Sequence, residues 1–242
     1  MDQLLKFLRN SRYCVAFTGA GISTLSGIPD FRGKEGIYQS FDSDKLFDIE
    51  YFKKDPSYFY THAAQFIYAI DKKEPSLVHR QLARLQNAGI IKTVITQNID
   101  LLHQKAGSRR VIELHGSPSQ HVCLSCGRHY SFDLISKRVL AGIVPSCDIC
   151  GGVLKPSITF FGEFLDTTSV DQATREAEKA DLMLVCGSSL VVHPAASIPL
   201  YTCRAGGTLV IINNMPTPLD HYTALRYNDL EQVFTFIRNI SF

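Results

Sequence analysis

Tyr13-Cys14-Val15-Ala16-Phe17-Thr18-Gly19-Ala20-Gly21-Ile22-Ser23-Thr24 is a short apolar run that breaks into a glycine turn. A run of this length, bounded by glycine, reads as a buried strand. The turn after it matches the start of a dinucleotide-binding loop. Gly19 serves the tight turn, and Gly21 allows close backbone approach to a pyrophosphate. The third glycine of that fingerprint is missing, because Thr24 stands in its place. No acidic residue closes a second strand about twenty positions on, so an ordinary dehydrogenase is disfavoured. Taken alone, the loop is also compatible with a plain glycine-rich strand-to-helix turn.

The same kind of strand recurs at Ile91–Thr96, Leu182–Cys186 and Leu209–Ile212, with a shorter candidate at Val111–Leu114. Helical patterns lie between and after them, at Ser76–Ala88, Val170–Lys179, Pro194–Arg204 and Leu230–Asn239. Alternation of helices with uninterrupted apolar strands predicts an α/β fold, a parallel sheet covered on both faces. In such sheets ligands bind beyond the carboxyl ends of the strands. Polar residues gather at those ends. Gln97-Asn98-Ile99-Asp100 follows Thr96, Glu113-Leu114-His115-Gly116 follows the short strand, and Gly187-Ser188-Ser189 follows Cys186. His115 there is a candidate general base. Asp100 reads equally as a helix cap. Segment 34–73 is aromatic-rich, fits neither period, and is expected to be a helical insert or lid.

Composition bounds the rest. The chain has 242 residues, 25 basic against 23 acidic, and a net charge of +2. That balance gives no electrostatic reason for binding nucleic acid or a membrane. Leu4–Arg9 is amphipathic and too short for a signal segment, and no apolar run approaches the roughly 20 residues of a membrane span. A reducing, cytoplasmic setting is expected. Cys123-x-x-Cys126 and Cys147-x-x-Cys150, twenty residues apart, form a zinc signature. Four thiolates close a tetrahedron and leave no open position, so the metal is structural and the chemistry lies elsewhere. Two disulfides are the alternative, and a reducing compartment weighs against them.

In this order the pieces resemble the sirtuins, the NAD-dependent protein lysine deacylases. The matching segments are Gly19-Ala20-Gly21-Ile22-Ser23 with Gly27-Ile28-Pro29-Asp30-Phe31-Arg32, Thr96-Gln97-Asn98-Ile99-Asp100, Glu113-Leu114-His115-Gly116, both cysteine pairs, Phe160-Phe161-Gly162-Glu163, Gly187-Ser188-Ser189-Leu190-Val191-Val192 and Ile212-Asn213. They span most of the chain, as in small prokaryotic members. The resemblance implies a Rossmann-type NAD-binding domain from 1–33, 74–116 and 157–242. It also implies a small domain from the helical insert 34–73 and the zinc module 117–156.

The implied reaction is deacetylation of lysine, with the acyl group passing to ADP-ribose as nicotinamide leaves. His115 acts as general base through the ribose hydroxyls, and Asn98 holds the ribose and a water. Asp100 and the Ile99 backbone bind the nicotinamide carboxamide, and Phe31 covers the reactive ribose face. Gly19, Ala20, Gly21, Thr24, Arg32, Gln97, Gly187, Ser188, Ser189, Asn213, Asn214 and Leu230 bind the rest of NAD. An acetyl-lysine peptide is implied to pair as a strand between Phe161-Gly162-Glu163 and Ser189-Leu190-Val191-Val192.

Three departures stand out. Gly187-Ser188-Ser189 replaces a common Gly-Thr-Ser. Phe164-Leu165-Asp166 replaces a common Asn-Leu-Pro. Ala63 follows Tyr60 where desuccinylating members carry an arginine, so the acyl pocket is expected to be apolar, with Ile99, Thr159, Phe160 and Val192 in its wall. The competing enzyme reading is mono-ADP-ribosyl transfer. A zinc-ribbon nucleic-acid module is a different class, and it predicts a basic surround. Segment 120–155 instead sets Arg128, Lys137, Arg138 and Lys155 against Asp133 and Asp148.

Overall fold

A computed structural model describes residues 1–30, 36 and 43–242. Phe31, Arg32 and most of the first part of the expected insert lie outside the described residues. Among the described residues nine strands run in chain order as β1 (Cys14–Thr18), β2 (Ile91–Thr96), β3 (Val111–Glu113), β4 (Gly116–Cys123), β5 (His129–Ser131), β6 (Leu154–Ile158), β7 (Leu182–Cys186), β8 (Thr208–Ile212) and β9 (Leu225–Tyr227). Six of them form one sheet in the order β3-β2-β1-β7-β8-β9. Every pairing in it is parallel. The order reverses at β1, with β2 on one side and β7 on the other. That places a crevice at the carboxyl ends of these central strands, the position where open α/β sheets bind ligands.

The strands are apolar throughout because both faces are covered. Cys14 and Ala16 of β1 enter one core, with Leu82, Leu85, Phe234 and Ile237 from helices Leu77–Asn87 and Leu230–Arg238. Val15 and Phe17 enter the other, with Ala173, Ala177 and Ile198 from helices Thr167–Lys179 and Ile198–Arg204. The alternation follows from the two-residue period of the pleat.

Helix boundaries differ from the sequence expectation where capping decides them. The helix expected at Val170–Lys179 begins at Thr167, because the Asp166 carboxylate accepts the Ser169 N–H at 2.7 Å. The one expected at Pro194–Arg204 begins at Ile198, with Pro199 in its first turn, where a missing N–H is harmless.

A second, three-stranded sheet, β5-β4-β6, is antiparallel and carries the four cysteines at its end. It shares a core with the described part of the aromatic segment, which is helical at Ser43–Leu46, Ile49–Lys54, Pro56–Ala63 and Ala64–Tyr68. Phe47, Phe52 and Phe59 pack edge-on or tilted against Phe160 at centroid distances of 5.1–5.8 Å. These rings explain why the segment shows neither period. Its apolar residues fill a cluster from several directions rather than one helix face.

Candidate functional site

The turns after β1 and β7 are fitted into each other. Gly21 N–H donates to the Gly187 carbonyl at 2.9 Å, and Gly19 N–H to the Cys186 carbonyl at 3.1 Å. A Cβ on Gly19 would lie 2.8 Å from the Gly187 oxygen, and one on Gly21 would lie 2.9 Å from Gly187 Cα. Gly187 itself has φ +63°, and a Cβ there would meet Ile22 N at 2.6 Å. The glycines are therefore required by backbone-on-backbone packing of the two turns. The sequence reading assigned Gly19 to a tight turn, but its backbone is extended, at φ −131° and ψ −176°. Two short 3₁₀ turns, Ala20–Ile22 and Thr24–Ser26, follow in place of a regular helix. At the missing third glycine, Thr24 Oγ1 donates to the Gly21 carbonyl at 2.9 Å.

A cavity of about 330 Å³ opens over these turns. Gly19, Ala20, Gly21, Thr24, Gln97, Asn98, His115, Gly187, Ser188, Ser189, Asn213, Asn214 and Leu230 all line it. Leu25, Asp30, Met215, Asn228, Asp229 and Glu231 also line it and were not assigned to it by sequence reasoning, and Val192, expected on the peptide side, completes the lining. Asp229 was detectable as the cap of the last helix, since its carboxylate accepts the Gln232 N–H. The neutral amides and hydroxyls along this wall suit the hydroxyls and ring edges of a nucleotide.

His115 is part of the lining of this cavity. Its Nδ1 lies 2.8 Å from the Gln97 carbonyl, which can only accept, so Nδ1 carries the proton and Nε2 keeps its lone pair. Burial lowers the pKa of His115, opposed by the Gln97 carbonyl. Burial is the larger effect and leaves a neutral imidazole whose Nε2 can take a proton. Gln97 is held in turn, with its N–H on the Thr18 carbonyl and its Nε2 donating to Ser188 Oγ at 2.8 Å. Asn98 Nδ2 reaches the Gly19 carbonyl at 3.1 Å and Ser23 Oγ at 3.2 Å. Ser23 Oγ donates to Asp100, whose other carboxylate oxygen accepts the Leu102 N–H at 3.0 Å. Ser23, absent from the candidate list, thus joins the two predicted polar residues. Asp100 lies with Ile99, Ser23, Ile28, Phe66 and Ile67 on a smaller recess of about 30 Å³ beside the main cavity.

Beneath this loop runs a buried chain of polar groups. Ser76 N–H donates to His79 Nδ1 at 3.2 Å, so the proton of His79 sits on Nε2. The His79 and His103 rings meet edge to face at 4.7 Å. His103 Nε2 lies 2.9 Å from Thr18 Oγ1, Thr18 Oγ1 donates to Thr96 Oγ1, and Thr96 Oγ1 accepts the Asn98 N–H at 3.0 Å. Burial pushes both histidines down to a pKa of about 3.

A second cavity, of about 270 Å³, meets the first at Gln97, His115 and Val192. Its walls are Phe47, Ile99, Ile158, Thr159, Phe160, Phe161, Gly162, Glu163, Leu165, His193 and Pro194. The four expected wall residues are all present. Tyr60 and Ala63 are not. They are 2% and 0% exposed in the aromatic core, and the Tyr60 hydroxyl donates to the Leu154 carbonyl.

Neither segment expected to flank a peptide is a strand in this structure. Phe161 spends both main-chain groups on the small module, its N–H on the Phe47 carbonyl at 2.7 Å and its carbonyl on Ile49 N–H at 3.1 Å. Leu190 has φ +54°, which breaks the second segment. Val191 and Phe161 are each 46% exposed.

The four cysteine sulfurs lie within 4.8 Å of one another. Cys123 Sγ is 3.5 Å from Cys150 Sγ, and Cys126 Sγ is 3.7 Å from Cys147 Sγ. A disulfide needs about 2.05 Å, whereas sulfurs at the corners of a Zn–S tetrahedron of about 2.3 Å fall at these spacings. The donor set thus fits one structural zinc. Tyr130, which sequence reasoning missed, donates its hydroxyl to Cys147 Sγ at 3.1 Å and helps pull that thiol down to a pKa of about 6.

A Rossmann-type sheet, a polar cavity on its carboxyl edge, a histidine in the wall of that cavity and a four-cysteine module define a nucleotide-dependent enzyme class. A model of the Sir2 family matches residues 19–194. The chain belongs to the Sir2 family. It is 47% identical over 94% of its length to an NAD-dependent protein deacetylase of Thermotoga maritima, 92% of which is covered. A solved Sir2 structure with a deacetylated p53 peptide and 3′-O-acetyl ADP ribose superposes with TM-score 0.91 at 46% identity, covering 98% of this chain and 96% of that one. A Sir2 complex with p53 peptide and NAD+ gives TM-score 0.89 at 45% identity, covering 98% and 95%.

Proposed function

We propose that this chain is an NAD-dependent protein lysine deacetylase that passes the acetyl group to ADP-ribose and releases nicotinamide. The observation that carries this reading is His115. Its Nε2 lone pair is free, because Gln97 holds the Nδ1 proton, and it stands where the two cavities meet. The main cavity takes NAD and the apolar one takes the acyl-lysine side chain. When bound, NAD supplies an activated ribose carbon whose nicotinamide can leave. His115 Nε2 would accept the proton of a ribose hydroxyl of the bound NAD, the general-base role. Asn98, oriented by Gly19 and Ser23, holds the ribose, while Asp100 and the Ile99 backbone take the carboxamide in the small recess. Ala20, Thr24, Ser188, Ser189, Asn213, Asn214 and Leu230 hold the remainder. Phe31 and Arg32 keep the roles that the family resemblance gave them.

The peptide is held by Phe161, Gly162 and Glu163 on one side and Leu190 to Val192 on the other. The separate aromatic core supports the division into a Rossmann-type domain (1–33, 74–116, 157–242) and a small domain (34–73, 117–156). Among the described residues no helix is long and apolar enough to cross a membrane.

The test is nicotinamide release from NAD with and without an acetyl-lysine peptide. The expected result is release that depends on the peptide, with stoichiometric deacetylated peptide and O-acetyl-ADP-ribose. Release independent of acyl-lysine, with ADP-ribose attached to protein, would instead establish ADP-ribosyl transfer.

A further inference from the structure

Phe164 is 97% exposed. A single exposed aromatic means little in general, but this one sits on a segment fixed on both sides. Before it, Phe161 is hydrogen-bonded to Phe47 and Ile49. Gly162, at φ +90°, packs so closely that a Cβ would lie 2.9 Å from Ile49 Cγ2. The Glu163 carboxylate is clamped by Lys155 Nζ at 2.8 Å and the Phe160 N–H at 2.8 Å. Lys155 is itself 5% exposed and also donates to the Ile158 carbonyl at 2.6 Å. After it, Leu165 lines the apolar cavity and Asp166 caps a helix. The ring therefore projects into solvent from a pinned turn, between two residues, Glu163 and Leu165, that both line the acyl cavity. Phe161, 46% exposed, adds apolar surface to the same cavity.

We infer that Phe164, with Phe161, forms an apolar shelf that recognises a large hydrophobic side chain close to the acetyl-lysine in the substrate peptide. The inference rests on the deacetylase reading. Its occupant is the peptide itself, because the shelf is continuous with the cavity that would take the acetyl-lysine side chain. An extended peptide advances about 3.4 Å per residue, so the contacting position lies within about two residues of the lysine. A rigid aromatic loses little conformational freedom on binding, which favours it as a contact. Covering most of a phenylalanine and its partner side chain is worth about tenfold in kcat/KM.

The experiment uses the full chain, NAD and acetyl-lysine peptides with glycine flanks as reference. Leucine or aspartate is then placed singly at each of the two positions on either side. The expected result is a leucine-over-aspartate preference of roughly tenfold at one or two positions. Phe164→Ala should reduce that ratio to about one while leaving turnover of the glycine-flanked peptide near wild type. A further peptide with lysine at the same position is used for Phe164→Asp, which should turn it over better than the leucine peptide, a response that misfolding cannot produce. Equal turnover of all flanks by the wild-type chain overturns the shelf but leaves the deacetylase reading intact. A preference that survives Phe164→Ala does the same. No turnover of any peptide overturns both.

Discussion

Gly187→Ala tests the interlocking of the two turns on which the site is built. At φ +63° an alanine is in the left-handed region, which costs about 1–2 kcal/mol. Its Cβ would also lie 2.6 Å from Ile22 N and 2.8 Å from Gly21 C, both backbone atoms that cannot rotate away. Overpacking of that kind adds about 1–3 kcal/mol, for a sum of about 2–5 kcal/mol. Gly206→Ala isolates the first part, because Gly206 has φ +82° with nothing within 4 Å of its Cβ direction. It should lose only about 1–2 kcal/mol. Urea unfolding followed by circular dichroism measures both, since the chain has no tryptophan. The displaced turn carries Gly21 and Ser188, both on the wall of the main cavity. The KM for NAD should therefore rise in Gly187→Ala, and a misplacement near 1 Å can reduce kcat/KM by about a hundredfold. Gly206→Ala should leave both kinetic constants unchanged. If the two variants lose equal stability and Gly187→Ala binds NAD normally, the interlock is not what holds the site.

His115→Ala should keep NAD binding and lose roughly two to four orders of magnitude in deacetylation. Because burial lowers the pKa of His115, the neutral base persists to lower pH, and the acid limb of kcat/KM should have its midpoint below 6.5. His79 and His103 are held near a pKa of about 3, against 6.5 when unfolded. The unfolded chain then binds more protons between those values. The stability they contribute is present above about pH 6.5 and is lost as pH falls toward 3, by up to about 1.4 kcal/mol per pH unit for each group. Urea midpoints across that range, with His79→Phe as comparison, measure it. Elemental analysis should give one zinc per chain on Cys123, Cys126, Cys147 and Cys150, and Cys147→Ala should unfold the small module and remove activity with it. Acetyl-lysine should be turned over roughly a thousandfold better than succinyl-lysine on the same peptide. Among the described residues the acyl cavity offers Glu163 but no cation in its lining, and the nearby Lys155 is already matched by Glu163. Equal kcat/KM for the two acyl groups would refute that account of the cavity.

The elements read well from sequence are those whose signal is local. β1, β2, β7 and β8 are continuous apolar runs because both their faces are buried, and the long helices show one apolar face each. β9 is a three-residue edge strand with Arg226 at its centre, too short to carry a pattern. β4 reads Gly-Ser-Pro-Ser-Gln-His-Val-Cys, without alternation. It is held by pairing with β6 on one side and β5 on the other, and by His121 meeting the Tyr68 hydroxyl at 2.7 Å. No short window of sequence contains those partners. The site divides in the same way. Gln97, Asn98, Asp100, His115 and Ser188 were legible as polar residues at strand ends. Ser23, Asn228, Asp229 and Glu231 were not, because their importance lies in what stands opposite them.

The sequence by itself determined the α/β class, the four-cysteine cluster and the identity of the candidate base, since each depends on residue type at short spacing. Only the tertiary structure decided why Gly19, Gly21 and Gly187 are glycines, which tautomer His115 adopts, and that Tyr60 stands in the aromatic core rather than at the acyl cavity. Those properties depend on atoms brought together from positions as far apart as Gly21 and Gly187. Distance along the chain carries no information about such contacts until the sheet has closed them.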